Sequence, residues 1–337
     1  MKSLRLFVRY LVATLVSLTS LQNSAYAEVE EIRLAQQYGL AFLPMIVMQH
    51  HKLLENHIRQ SGLNDAKVVW VKLASGSVMN DALLNGNLAF ASGGVPPFIT
   101  LWAKTKGSLG VQGVAAMATM PLYLNTRNTK VKTVRDFSET DKIALPAVKV
   151  SNQAIFLQMA AEQAFGSGQA NKLDTLTVSL SHPDAMTALL SGKEINSHFS
   201  APPFQYQELA EPSIHTVVSS YELLGGAHTF ALVWTTSEFR KQNPKTYMAF
   251  ISAFREAMEF IERDPKGAAE AYLKETKSKE PLENIVQYIL APGSSFSMTP
   301  ERVLQQAEFM YRIGSIKIKP DSWQEMFFPE VHNLPGS

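Results

Sequence analysis

Two stretches decide how this chain folds: residues 75–98, SGSVMNDALLNGNLAFASGGVPPF, and residues 181–204, SHPDAMTALLSGKEINSHFSAPPF. At a constant offset of 106 residues they share Ser75/Ser181, Ala82/Ala188, Leu83/Leu189, Leu84/Leu190, Gly86/Gly192, Pro96/Pro202, Pro97/Pro203 and Phe98/Phe204. In each, a small polar residue opens an apolar helical run, a glycine stops it, and a short strand leads to Pro-Pro-Phe. Proline cannot extend a central strand, so each block is expected to end in a rigid loop at the strand's carboxyl end. In open α/β sheets ligands bind at that end. Two such units this far apart suit two lobes facing each other across a cleft.

The same grammar extends outward. Alternating or β-branched runs predict strands over 31–36, 67–73, 88–91, 111–117, 142–145 and 176–180. An apolar, then charged, segment over 44–60 reads as helical, with Pro44 at its start. Ser75-Gly76-Ser77 opens a helix that Asn85-Gly86 ends, and Ser151 caps another. Ser181 with Asp184 forms a capping box before a helix that Gly192 terminates. Asn243-Pro244, Asp264-Pro265 and Thr299-Pro300 each predict a helix start. Strands alternating with helices over this length give an α/β fold with mainly parallel sheets.

The termini and composition bound the function. Lys2, Arg5 and Arg9 precede an apolar stretch over 10–21, and Ala25-Tyr26-Ala27 follows with small residues where a signal peptidase reads. A dozen apolar residues are too few to cross roughly 30 Å of hydrocarbon. Residues 1–27 are therefore expected to be a signal peptide cleaved after Ala27, which makes the mature protein periplasmic in a Gram-negative cell. The 337 residues contain no cysteine, which excludes disulfides, thiolate metal sites and thiol nucleophiles. Of 31 basic residues the signal carries three, leaving 28 against 30 acidic ones, so nothing favours nucleic acid as a partner. No nucleophile elbow, P-loop, dinucleotide loop or H-E-x-x-H is present. His50, His51, Glu55 and His57 come nearest to a metal cluster, but His57 lies off the face shared by His51 and Glu55, and a solvated helix face is expected. No catalytic, cofactor or metal site is expected.

The Tyr38-Gly39 loop after the first strand, the Ser75-Gly76-Ser77 helix start, the block ALLNGNLAFASGG and the block HPDAMTALLSGK ending in APPF resemble one family. They are similar to the nitrate/sulfonate/taurine-type periplasmic substrate-binding proteins of ABC importers, over about residues 31–260. The resemblance implies the two-lobe, type II periplasmic-binding-protein fold, with a solute held at the hinge and delivered to a membrane permease by a monomer. It implies lobe one at 28–120 plus 226–337 and lobe two at 121–225. The binding positions it carries over are Tyr38, Gly39 and Phe42; Ser75, Gly76 and Ser77; Ser92, Gly93 and Gly94; Ser151, Asn152 and Gln153; and Phe199, Ser200 and Pro202. Many relatives carry an acidic residue or tryptophan beside the last proline, where this chain has Ser200-Ala201-Pro202-Pro203.

Those loops are almost free of charge; Lys149 is the one charged residue near them. Helices starting at Ser77 and Ser151 offer unpaired N–H groups and a partial positive end. With the hydroxyls of Ser75, Ser77, Ser92 and Ser151, such ends can hold an oxyanion without an arginine. Tyr38, Phe42, Phe98, Phe199 and Phe204 can add apolar surface. The expected ligand is a small organic anion, sulfonate- or carboxylate-like, with an apolar or aromatic body. A binder of a thiamine-precursor pyrimidine, a secreted hydrolase and a sensory partner of a membrane receptor remain open alternatives.

Overall fold

The computed structural model describes residues 28–63 and 66–337; the expected export signal at 1–27 lies outside the described residues. In chain order the main elements are β1 (Glu31–Gln36), α1 (Leu43–His51), α2 (Leu53–Gln60), β2 (Lys67–Lys72), α3 (Gly76–Leu84), β3 (Ala91–Gly94), α4 (Val95–Thr105) and β4 (Val111–Thr119). The chain continues through β5 (Tyr123–Thr126), β6 (Ile143–Leu145), α5 (Asn152–Phe165), β7 (Thr177–Ser179), α6 (His182–Ser191), β8 (Ser197–Phe199), α7 (Phe204–Leu209), β9 (His215–Ser219) and α8 (Ser220–Leu224). It finishes with β10 (Thr229–Thr236), α9 (Ser237–Gln242), α10 (Pro244–Arg263), α11 (Pro265–Thr276), α12 (Leu282–Ile289) and α13 (Val303–Arg312).

Two sheets result. In the first, β1 runs parallel to β2 from Glu31↔Lys67 to Gln36↔Lys72, and the bridge Leu34↔Phe90 joins β1 to the strand that becomes β3. β10 lies antiparallel between β3 and β4. The second sheet has the order β7-β6-β8-β5-β9, with β6 parallel to β7 and β8, and β5 antiparallel to β8 and β9. The two orders are equivalent strand for strand. In each sheet the strands linked by helices are parallel, and the antiparallel strand (β10 or β5) is the one that enters from the other sheet. The fold is thus a two-lobe α/β architecture of two mixed sheets. The chain passes between the sheets twice, at 119–123 and at 219–229, and the passages are stitched together. Leu122 N–H donates to Ser220 Oγ at 2.9 Å, and Ser220 N–H to the Leu122 carbonyl at 2.9 Å.

The internal echo marks equivalent places: α3–β3–α4 in one sheet and α6–β8–α7 in the other. Pro96-Pro97-Phe98 is helical and not a loop, whereas Pro202 and Pro203 form the turn that leads into α7. Pro96 and Pro97 sit in the first turn of α4, where proline's missing N–H costs nothing, and Phe204 is the first residue of α7. Phe98 packs in the core against Trp234 and Phe327, with ring centroids 6.0 and 5.5 Å away.

Other expectations shift by a few residues for visible reasons. The 44–60 segment is two helices, broken by Lys52 in the left-handed region at φ 54°. The strand expected at 88–91 pairs at 91–94, and α3 starts at Gly76. Thr299-Pro300 does not start a helix. Glu301 N–H is taken by Thr229 Oγ1 at 2.8 Å and Val303 N–H by the Ser337 carbonyl at 2.7 Å, so α13 begins at Val303. His50 and His57 are not simply solvated: they bond Glu275 of α11 (2.8 Å) and Glu256 of α10 (2.7 Å), while His51 packs on Phe260. Among the described residues no group of side chains could hold a metal ion.

Candidate functional site

The carboxyl ends of both sheets point at one another, and the helix starts that follow them meet there. Ser75 is the residue before α3, extended at φ −151° and ψ 158°. Its side chain does not cap the helix; Ser75 Oγ lies 3.0 Å from Ser77 Oγ instead. The Gly76 and Ser77 amides are consequently free of partners among the described residues. From the other lobe, Ser151 caps α5 by accepting from Ala154 N–H at 3.2 Å, which leaves the Asn152 and Gln153 amides at the helix mouth.

These two ends line one cavity of about 20 Å³, together with Gln37, Tyr38, Phe42, Gly94, Pro97, Pro146, Ala147, His182 and Phe230. That is room for about one water molecule. No lysine, arginine, aspartate or glutamate lines it. The lobes are drawn together around it. Asn152 Nδ2 donates across the cleft to the Phe230 carbonyl at 2.8 Å, and Leu40 N–H to the Pro202 carbonyl at 2.8 Å. Further out, Gln207 donates to Glu280 (2.7 Å), Arg312 pairs with Glu162 (2.5 Å), and Tyr206 stacks on Tyr288 at 4.5 Å. Two glycines permit the approach. A Cβ on Gly94 would lie 2.4 Å from Asn152 Oδ1, and one on Gly39, held at φ 117°, would lie 3.1 Å from the Pro202 carbonyl.

Tyr38 also walls a separate groove of about 590 Å³ between the lobes, together with Lys72, Pro183, Met186, Phe204 and Tyr272. Lys72 Nζ sits 5.4 Å from the Tyr38 ring centroid, and burial pulls its ammonium below the usual lysine range.

Of the residues singled out from sequence, Tyr38, Phe42, Ser75, Gly76, Ser77, Gly94, Ser151, Asn152 and Gln153 surround the cavity. Gly39 and Pro202 meet at its edge through the Leu40–Pro202 bond. Four others stand behind the wall. Ser92 is fully buried and donates to the Ala35 carbonyl (2.6 Å), and Gly93 lies under Trp234. Phe199 packs against Phe156, and Ser200 donates to Glu208 at 3.1 Å.

From sequence His182, the first residue of α6, is one of five scattered histidines, any one of which could donate to a ligand but for each of which a structural role is the expectation. The 106-residue offset carries Gly76 onto His182, so the echo held the signal. His182 Nε2 lies 3.2 Å from Gln153 Nε2, and its Nδ1 lies 2.9 Å from His198 Nε2. His198 Nδ1 lies 2.5 Å from Glu208 Oε1, and Glu208 Oε2 accepts from Asn125 Nδ2 at 2.8 Å. Burial, and secondarily His198, hold the His182 imidazole well below its ordinary range, so it is neutral at neutral pH. One further polar atom is conspicuous: Asn152 Oδ1 is buried without a partner.

Two equivalent α/β lobes closing on a polar, uncharged cavity between their helix starts define a periplasmic-binding-protein fold. Solved structures agree. The alkanesulfonate-binding protein SsuA of Xanthomonas axonopodis pv. citri, bound to MOPS, superposes with a TM-score of 0.66 at 17% identity, over 88% of this chain and 96% of that one. The periplasmic aliphatic sulphonate binding protein SsuA of Escherichia coli gives 0.64 at 20% identity, over 89% and 92%. The periplasmic nitrate-binding protein NrtA of Synechocystis PCC 6803 gives 0.60 at 16% identity, over 77% and 70%. Curated protein sequences give no significant match. The model of the NMT1-like family matches residues 25–274, and the chain belongs to that family.

Proposed function

We propose that this protein is the periplasmic solute-binding component of an ABC importer, and that it binds a small organic anion, sulfonate- or carboxylate-like. Lobe one (28–120 plus 226–337) and lobe two (121–225) bend at the two passages, trap the solute and present it to a membrane permease. Residues 1–27 direct export and are removed after Ala27, and the mature protein works as a monomer. Among the described residues no helix is long and apolar enough to cross a membrane, which is compatible with this reading.

One observation carries the proposal: helix starts from opposite lobes, at Gly76-Ser77 and Asn152-Gln153, converge on one cavity that no charged side chain lines. Such ends attract an anion through free N–H groups and the helix dipole. The Tyr38, Phe42 and Phe230 side of the cavity suits an organic body better than bare nitrate. The sulfonate- and nitrate-binding proteins of the same fold support the ligand class by analogy.

A second reading, a thiamine-precursor pyrimidine, is favoured by the unpartnered Asn152 Oδ1, which a ring or amino N–H could satisfy. A secreted hydrolase has less support, because the cavity's histidine bonds Gln153 and His198 and not a serine. Thermal shift and calorimetry with ethanesulfonate, benzenesulfonate, benzoate, nitrate and an aminopyrimidine separate these. Stabilisation by a sulfonate or carboxylate is expected, and stabilisation by the aminopyrimidine alone favours the second reading. Turnover of a chromogenic ester with no binding of any anion would overturn the proposal.

A further inference from the structure

The helix starts supply N–H donors for an anion, but no fixed cation in the lining of this cavity offsets its charge. It does have one end of a buried hydrogen-bond chain, Gln153–His182–His198–Glu208, that runs from the cavity into lobe two. His182 is 6% exposed, and His198 and Glu208 are fully buried. The protons along the chain can be assigned from chemistry alone. The Gln153 amide nitrogen can only donate, so His182 Nε2 accepts. The neutral His182 ring then carries its proton on Nδ1 and donates to His198 Nε2. His198 in turn donates from Nδ1 to the Glu208 carboxylate, which Ser200 Oγ (3.1 Å) and Asn125 Nδ2 (2.8 Å) also serve as donors. In this state the cavity end is an acceptor and the buried end is an anion.

One proton entering at His182 Nε2 reverses every link. His182 passes its Nδ1 proton to His198 Nε2, and His198 passes its own to Glu208 Oε1. The carboxyl becomes neutral and donates back to His198 Nδ1. Both imidazoles stay neutral, no buried charge remains, and His182 Nε2–H becomes a donor, with Gln153 turning its amide oxygen or swinging aside. Resting on the anion reading above, we propose that solute binding takes up one proton through the His182–His198–Glu208 chain, which supplies the donor and the charge compensation that an anionic head requires. His182 touches the solute, and His198 and Glu208 are positioning residues that set its polarity from behind.

The surroundings leave the chain isolated. α7 contributes Glu208 and Tyr206, β5 contributes Tyr123 against Tyr206, and β8 contributes His198. Asp184 of α6 is engaged by Ser181 at the surface. Across the cleft mouth, Lys72, Lys279, Glu280 and Tyr272 line the groove. The low proton affinity that burial gives His182 agrees with uptake that needs an anion beside it.

The test titrates ethanesulfonate and benzoate calorimetrically into the purified protein in buffers of different ionisation enthalpy. Close to one proton taken up per anion is expected, with the Kd rising as pH rises. His182→Gln should bind more weakly and without proton uptake. Glu208→Gln should lock His182 in the donor state: the amide N–H donates to His198 Nδ1, and affinity becomes pH-independent at the wild-type low-pH level. A merely structural Glu208 would weaken binding and leave the pH slope intact. If Glu208→Gln does not fold, the wild-type proton count and His182→Gln still decide. Anion binding without proton uptake overturns this proposal and leaves the anion reading standing. Failure of both anions to bind at any pH removes the anion reading and this proposal with it.

Discussion

Acidification should unlatch the passages between the lobes, and His228 sets the size of the effect. This side chain is fully buried beside the second passage. Its Nδ1–H donates to the Thr229 carbonyl at 3.0 Å, and its Nε2, 2.9 Å from Ser220 Oγ, accepts the hydroxyl proton. Ser220 Oγ is the same atom that accepts Leu122 N–H from the first passage. Burial first, and the charge of Arg302 further, pull His228 from 6.5 to about 4. The unfolded chain therefore takes up the proton before the folded one. Stability is whole above pH 6.5 and is lost as pH falls through 6.5 toward 4. At about 1.36 kcal/mol per pKa unit the loss levels off near 3 kcal/mol. Urea unfolding of wild type and His228→Gln, in half-unit pH steps from roughly 7.5 to 3.5, isolates it. The variant should be less stable at pH 7 but should lack this part of the acid slope. Parallel pH profiles for the two proteins would refute the assignment.

Four more variants test the closed cleft and its core. Gly94→Ala places a methyl against Asn152 Oδ1, which cannot retreat without losing the Phe230 bond; X-ray scattering should show a larger particle, with unfolding midpoints little changed. Ser151→Ala removes a cap and should cost about 1 kcal/mol of stability in urea titrations as well as affinity. Ser77→Ala, which caps nothing, should weaken binding with little loss of stability, and unchanged affinity in both serine variants would remove the helix-start account. Phe250→Ala breaks a buried stack on Phe90 at 4.1 Å and should cost about 3–5 kcal/mol in the same titrations.

Much of the fold was legible because its punctuation is local. Asn243-Pro244 and Asp264-Pro265 start helices, and Gly192 ends one in the left-handed region at φ 67°, all within one turn of the residues that cause them. Thr299-Pro300 misled because the amides after it are claimed by Thr229 and Ser337, which are distant in sequence. Lys52 hid a helix break because a lysine rarely takes the left-handed conformation that breaks it. The mixed character of the sheets could not be read from strand patterns, since it follows from which lobe each strand enters. In the site, the serines were legible as helix starts. His182 was not, because its meaning lies in Gln153, His198 and Glu208, which only the tertiary fold brings together. Ser92, Phe199 and Ser200 show the converse: they sit one layer too deep to line the cavity, a distinction a motif does not carry.

The central claim is that two lobes close on a solute between their helix starts. Small-angle scattering of the protein after unfolding, dialysis and refolding, with and without the small-molecule fraction extracted from producing cells, tests it most directly. The solute-free protein should be measurably larger than the solute-bound one and should contract when the fraction is restored. The contraction should fail in Gly94→Ala. Identical scattering with and without the fraction, already matching the closed form, would contradict the claim.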